Sequence, residues 1–333
     1  MFIFKLLLKN AFRHKLRTLL TMVGLIVAIS SFGLLRTIVD AWYAGVEGTS
    51  STRLITRSAI SLGAPLPRLY ADKIRKIDGV SGVTWMNWFG GIYIDRRNFF
   101  ARMAIDAPSY FPMFPEFSIS DEQKADFMAD RQGVILGRKT AQRFGLHVGD
   151  TIPLSGTIYP GNWTFNIRGI YTVKDPRYDE TLMLMHWSLL NESVRKRLGT
   201  NTANQVGLMM VNIHDPGKAS AISHEIDALF KNSIAETRTE TEKAFQLGVV
   251  SMSRAILMAI QAVSLVVILI IMAVMANTMT MTARERLAEY ATLKALGFSP
   301  GFVVKLLFGE SLMIALIGGV IGIGMTFPLA QGF

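Results

Sequence analysis

The chain has 333 residues, half of them hydrophobic, with 35 Lys and Arg against 25 Asp and Glu for a net charge of +10, and no cysteine. Its mean hydropathy of +0.32 is high for a soluble protein and modest for one wholly embedded in lipid, so the apolar residues must be gathered into segments. Disulfides, thiolate nucleophiles and Cys-ligated zinc are excluded, and membrane borders account for the basic excess better than nucleic acid does.

Residues 1–17, MFIFKLLLKNAFRHKLR, contain no acidic side chain. Phe4, Leu8, Phe12 and Leu16 recur every four residues beside Lys5, Lys9, Arg13 and Arg17, which predicts an amphipathic helix on the cytoplasmic membrane surface with its cations toward anionic head groups. A straight extension of the first span is the other reading of this segment. A cleaved signal peptide is opposed by the long apolar core and the lack of an Ala-x-Ala site. The first transmembrane helix is predicted over residues 18–39, where Thr18 to Leu35 carries no charge and approaches the roughly 20 apolar residues a spanning helix needs. Basic residues flanking short loops stay in the cytoplasm, so the N-terminus is expected inside and residues 40–250 outside.

The outer block has the composition of a soluble domain, with room for one or two compact lobes. PRLYADKIRKIDGVSGVTWM reads as a helix feeding a strand across the Gly79–Gly82 turn. In QGVILGRKTAQRFGLHVGDTIPL a strand at Val134 to Leu136 precedes a helix from about Lys139 to Phe144, closed by Gly145, then a turn and another strand. TFNIRGIYTV and GLMMVNI read as strands, and DPGKASAISHEIDALFKN as a turn and an amphipathic helix. Residues 236–250, ETRTETEKAFQLGVV, read as a polar helix returning to the membrane. The expectation is an α+β domain of two subdomains.

No catalytic constellation is visible in this block. GVILGRKT has neither the spacing nor the residue order of a phosphate loop. His14, His147, His186, His214 and His224 show no metal-ligand spacing, so no metal site is expected, and there is no GxSxG.

A second span is predicted over residues 251–283. Its uncharged run, Ala255 to Ala283, would be about 43 Å long as a helix against roughly 30 Å of hydrocarbon, so it projects or tilts. A cytoplasmic loop over residues 284–310 follows. Helix formers run from Ala283 to Leu296 with Leu287, Ala291 and Ala295 on one face, Gly297 is suited to a left-handed C-terminal position, and Ser299-Pro300 opens a second helix. The loop is therefore a helix, a corner and another helix, an element able to transmit a push if it is not merely a solvated face. The third span covers residues 311–333, where Gly318 and Gly322 form GxxxG, permitting close helix contact within the protomer or across a dimer. No ionisable group lies inside the uncharged runs of the spans, residues 18–35, 255–283 and 311–333, which argues against an ion pathway through them.

The stretch ARERLAEYATLKALGFSP resembles the cytoplasmic loop of MacB/FtsX-type ABC transporter permeases, close to R-E-R-x-x-E-x-x-x-x-x-A-L-G. Arg284, Glu285, Arg286, Glu289, Lys294, Ala295, Leu296 and Gly297 fall on that pattern, and Glu310 matches an acidic residue common after it. LLLKNAFRHKLRTLLTMVGLIVAI looks like the family's first helix, and LPRLYADKIRKIDGVSGV, VILGRKTAQRFGLHVGDTIPL and FNIRGIYTV look like its periplasmic core domain. Such members have four spans where this chain has three, which reads as a truncated or incompletely represented protein.

The resemblance implies a type VII ABC permease-like fold, an α-helical membrane domain with an extracytoplasmic α+β domain, in a bacterial inner membrane. It implies a non-catalytic subunit that dimerises with a second copy or paralogue and engages separate ABC ATPase subunits through Arg284, Glu285, Arg286, Glu289, Lys294, Leu296, Gly297 and Glu310. ATP and Mg would be bound by those subunits, with no cofactor in this chain. The implied work is mechanotransmission that exports or releases a substrate such as a lipoprotein, peptide or drug, with a periplasmic adaptor or outer-membrane partner as a further candidate. Regulation of a cell-envelope hydrolase is the alternative, and a signalling receptor is disfavoured because no output region follows the spans.

Overall fold

A computed structural model describes residues 15–331 except Pro176 and Ser253. The membrane-surface helix expected around Lys5, Lys9 and Arg13 lies outside the described residues, as does the side chain of Arg17. Contacts divide the chain into a helical unit, Met1–Tyr43 with Val250–Phe333, and an α+β unit, Ala44–Val249.

The first element is α1 (Lys15–Glu47). The α+β unit then begins with β1 (Arg53–Ser58), β2 (Leu66–Pro67), α2 (Leu69–Ile74), β3 (Val80–Trp88), β4 (Gly91–Ile92), β5 (Arg102–Ile105) and α3 (Ala107–Met113). Its middle holds β6 (Phe117–Ser118), α4 (Asp121–Ala129), β7 (Gly133–Gly137), α5 (Arg138–Phe144), β8 (Thr151–Gly156) and β9 (Gly161–Val173). It closes with β10 (Met183–His186), α6 (Trp187–Leu198), β11 (Gln205–Val206), β12 (Leu208–Ile213), α7 (Ala219–Leu229), β13 (Thr237–Thr241) and α8 (Glu242–Met252).

Among the described residues, eleven strands form one sheet in the order β13-β1-β12-β3-β5-β10-β7-β9-β8-β4, with β6 on β9, while β11 and β2 pair separately. The two lobes expected from the sequence thus share a continuous sheet. Most neighbours are antiparallel, but β10 runs parallel to β5 and β7 parallel to β9. Side chains alternate across a strand, and here both faces are apolar. Leu54, Ala104, Val134, Met183 and Met209 join one buried cluster while their neighbours Ile55, Ile105, Ile135, Leu184 and Met210 join another. The first cluster is covered by Tyr70 and Ile74 of α2 and Ile222 and Ile226 of α7; the second by Tyr110 and Phe111 of α3 and Phe127 of α4.

Several local readings hold at residue level. The Val134 to Leu136 strand is β7, extended by a glycine at each end, and Gly145 closes α5 with φ +63°. A Cβ on Gly137 would collide with the Glu180 carbonyl, so that glycine serves close backbone packing at the end of β7. The polar helix expected across residues 236–250 is instead half strand. Thr237, Thr239 and Thr241 alternate with charged residues, and β-branched side chains at period two favour an extended chain. β13 pairs with β1, Thr239 Oγ1 lies 3.0 Å from Thr56 Oγ1, and Asp227 of α7 accepts from Thr239 N at 3.0 Å. Helix begins only at Glu242, where Thr241 Oγ1 accepts from Ala244 N at 3.2 Å as an N-cap.

The helical unit continues with α9 (Arg254–Glu285), α10 (Leu287–Ala295) and α11 (Pro300–Gln331). Among the described residues, three helices are long and apolar enough to cross a membrane, at Thr18–Asp40, Arg254–Glu285 and Ser311–Leu329. Their shared core joins Met22, Leu25 and Ile314, with Ile29, Ile271, Met275 and Ile317 around it. The GxxxG glycines face α1 of the same protomer. A Cβ on Gly318 would lie 3.3 Å from Leu25 Cβ and one on Gly322 3.0 Å from Ile29 Cβ, and Ser30 Oγ donates to Gly322 O at 3.0 Å. Small residues let the backbones approach, and a polar side chain ties them where lipid offers no competing donor.

Candidate functional site

Two places in the chain hold sets of charged residues at a bend or junction. The first is the segment after α9. At 32 residues this helix is about 48 Å long and carries Arg284 and Glu285 in its last turn. The helix expected to run unbroken from Ala283 to Leu296 is interrupted at Arg286, whose φ of −105° and ψ of 14° separate α9 from α10. Arg286 is only 4% exposed, and its Nε lies 4.0 Å from Glu289 Oε2. Of the residues expected to meet a partner, Arg286 therefore lies within the fold while Arg284, Glu285, Glu289 and Lys294 are exposed.

The corner after α10 is fixed by backbone geometry. Gly297 has φ +87°, its N–H donates to Lys294 O at 3.1 Å, and Phe298 N–H donates to Leu293 O at 3.1 Å. This is the paired bond set of a Schellman ending, which needs a left-handed residue where glycine stands. Ser299 and Pro300 then start α11, with Phe302 N–H donating to Ser299 O at 3.0 Å. Glu310 lies inside α11, and its side chain is outside the described residues. α10 buries no residue, and Leu287 and Leu296 are 65% and 71% exposed.

The second joint is where the chain enters and leaves the α+β unit. Arg53, the first residue of β1, is buried and donates from Nε to Glu242 Oε2 at 3.0 Å, from Nη1 to Met113 O at 2.9 Å and from Nη2 to Glu116 Oε1 at 2.7 Å. Its guanidinium lies 4.0 Å from the Phe114 ring centroid. Glu242 Oε2 also accepts from Ser50 N at 2.8 Å, and as the first residue of α8 it complements the helix dipole. Burial pulls the Arg53 pKa down, but Glu242 and Glu116 outweigh it and hold it above the ordinary value. Burial likewise raises the Tyr110 hydroxyl far above its usual range. One cation thus binds residues 113, 116 and 242, and Glu242 in turn holds the Ser50 N–H, joining the start of β1 to the start of α8. Sequence reading missed this set, because its members are far apart in the chain and each is an ordinary charge by itself.

Among the described residues no group of three or more His, Asp and Glu could hold a metal. Residues 18–229 match the model of the MacB-like periplasmic core domain, and residues 262–333 match that of the FtsX-like permease C-terminal region. The chain belongs to the MacB/FtsX-type ABC transporter permeases.

Among its relatives, an uncharacterized ABC transporter permease of Mycobacterium tuberculosis is 26% identical over 206 residues, covering 62% of this chain and 23% of the relative. A probable syringafactin export ATP-binding/permease protein of Pseudomonas syringae pv. tomato is 23% identical over 348 residues, covering 96% of this chain and 50% of the relative. The chain thus spans half or less of the length of these two relatives. The crystal structure of the periplasmic region of MacB from Actinobacillus actinomycetemcomitans aligns with a TM-score of 0.43 and 13% identity, covering 61% of this chain and 95% of that one.

Proposed function

We propose that this chain is a non-catalytic permease subunit that passes force from separate ABC ATPase subunits to its own α+β unit, exporting or releasing a substrate outside the inner membrane. In this reading the N-terminus is cytoplasmic, the α+β unit is periplasmic or extracellular, and a second copy or a paralogue completes a dimer in the bilayer. The observation that carries it is α10, which buries nothing within the chain and shows two leucines beside Arg284, Glu289 and Lys294. Apolar anchors ringed by charges are what a partner surface uses for affinity and orientation. The ATPase subunits would bind ATP and Mg, and closure of their dimer would grip α10 and turn it about the Gly297 corner. Arg286 and Gly297 would hold the shape of the grip, Arg284, Glu285, Glu289, Lys294 and the exposed Leu296 would dock it, and Glu310 would sit on the far side of the corner. Lys5, Lys9, Arg13 and Arg17 would anchor the chain start to anionic lipid.

At the other end, the Arg53 joint lets a displacement of α8 reach β1 and the sheet. The cargo class is a lipoprotein, peptide or drug worked on outside the bilayer, and a periplasmic adaptor or outer-membrane partner fits the same scheme. The export named for the Pseudomonas relative supports this branch.

Reversing Arg284 and Glu289 together (Arg284→Glu, Glu289→Arg) is the test. The co-purified ATPase is expected to keep hydrolysing ATP while ATP-dependent movement of the α+β unit, followed by a fluorophore pair, is lost. Full coupled movement in the double variant would remove α10 from the transmission path.

A further inference from the structure

The sheet face that carries the second buried cluster holds a cavity of about 290 Å³ beside the Arg53 joint, bounded by β3, β5, β12, α3 and the start of α8. Met86, Met103 and Met210 line it from three adjacent strands. Tyr110, Phe114 and Phe117 line it as a stack, with interplanar angles of 13° to 18°. The rings offer a fixed apolar surface and the unbranched thioethers an adaptable one.

Three polar groups in this wall have capacity that the fold does not use. Tyr110 is 1% exposed, and its hydroxyl makes no hydrogen bond among the described residues. Trp85 Nε1 and Arg102 Nε are sealed from solvent without a partner, but the Tyr110 oxygen is not. The little surface Tyr110 keeps therefore includes its hydroxyl, within the cavity it lines. A buried hydroxyl ordinarily has a partner. Glu116 and Glu242 meet on one guanidinium, each giving Arg53 a single oxygen, Oε1 and Oε2 respectively. Their other oxygens, Glu116 Oε2 and Glu242 Oε1, accept from no group among the described residues, and neither is sealed. Burial, joined by the charges of Glu116, Glu242 and Asp179 against that of Arg53, keeps the Tyr110 phenol protonated beside them.

The charges do not cancel. Arg53 is one cation against two carboxylates, and Arg177, also in the lining, is spent on Asp175, with Nε at 3.0 Å and Nη2 at 2.6 Å from Asp175 Oδ2. One negative charge is left over in a largely apolar wall, where charge is costly unless paired. We infer that this cavity binds a protonated amine with an aromatic or aliphatic body. The three N–H donors of a primary ammonium take Glu116 Oε2, Glu242 Oε1 and the Tyr110 oxygen, while the body lies on the methionines and rings. A neutral molecule of the same shape leaves the excess charge unpaired, and an anion is repelled. The inference stands apart from the transmission reading, because it needs neither an ATPase nor movement.

The probes are 2-(4-fluorophenyl)ethylamine, 2-(4-fluorophenyl)ethanol and 4-fluorophenylacetate, similar in shape but cationic, neutral and anionic. They are titrated against the full chain in phosphatidylcholine nanodiscs and followed by ¹⁹F line broadening, with empty nanodiscs subtracted. The amine is expected to bind about tenfold more tightly than the alcohol, and the carboxylate not to bind. Glu116→Gln, which leaves Arg53 facing one carboxylate, is expected to bring the amine down to the level of the alcohol. Tyr110→Phe is expected to weaken the amine about threefold. Leu208→Trp, which fills the cavity from β12, is expected to abolish binding of both, with circular dichroism establishing that each variant is folded. Equal binding of amine and alcohol, tighter binding of the carboxylate, binding of none of the three, or an amine preference that survives Glu116→Gln would overturn the assignment.

Discussion

Replacing Arg53 by Met tests whether the joint at the start of β1 holds the α+β unit together. The side chain is 3% exposed and faces Glu116 and Glu242, themselves 11% and 15% exposed. Deleting the cation leaves two carboxylates without compensation and two of the Arg53 bonds lost from them. Removing one member of a buried ion pair typically costs about 3–5 kcal/mol. Removing every charge is another matter. In Arg53→Met/Glu116→Leu/Glu242→Gln the desolvation penalty disappears, the glutamine keeps an acceptor for Ser50 N–H, and the chief loss is the bond to Met113 O, about 1 kcal/mol. The triple variant is therefore expected within about 2 kcal/mol of the parent. Four of the five tryptophans, Trp85, Trp88, Trp163 and Trp187, lie in the α+β unit, so urea unfolding of the detergent-solubilised chain followed by fluorescence reads the effect. With a slope near 2 kcal/mol/M, the single variant should lower the midpoint by about 2 M and the triple by under 1 M. A single variant that unfolds like the parent, or a triple that falls as far as the single, would refute the reasoning.

Gly322→Ala sets a methyl 3.0 Å from Ile29 Cβ; overpacking of this kind costs about 1–3 kcal/mol, so the thermal midpoint of the chain in detergent should drop and partly recover with Ile29→Ala. Gly297→Val forces a β-branched residue to φ +87°, at a cost of about 1–2 kcal/mol. Because α10 buries nothing, global stability should barely move while limited proteolysis at the corner accelerates, and Gly297→Asn should be milder. Glu180 is buried at 3% exposure against Arg138. Burial raises its pKa, but the Val173 N–H and the Arg138 guanidinium outweigh it and hold the carboxyl below the ordinary 4.5. Its contribution to stability is complete above pH 4.5 and is lost as pH falls through the folded value. Glu180→Gln should therefore flatten the acid side of a stability–pH profile measured from about pH 5 down to pH 2 and leave its neutral side parallel.

What was legible in the sequence followed from periodicity and punctuation. The apolar runs gave the spanning helices, and β7, β9, β12 and α7 were read from alternation and turn residues. Gly145 was read as closing a helix and Gly297 as a left-handed position, and they have φ of +63° and +87°. What failed had a local signal too short or ambiguous. RMAI and MLMH are four residues each, and neither is long enough to separate strand from buried helix. Residues 237–241 were assigned to a helix because they are polar, whereas the period-two threonines mattered more. The break at Arg286, whose side chain is buried, has no Gly or Pro to announce it. The Arg53 joint spans separations of 63 and 189 residues, and such partners are found only once the sheet brings them together.

The register of β1 with β13 places Leu54 opposite Thr241, so the first and last strands of the α+β unit are neighbours and its two chain ends emerge side by side. A folded insert whose ends nearly touch asks little of its host beyond two adjacent attachment points. Natural selection can then exchange or remodel the insert while the apolar helices and the Gly297 corner stay the same. Swapping residues 48–241 between distant relatives should therefore give folded chimeras that unfold cooperatively when followed by tryptophan fluorescence.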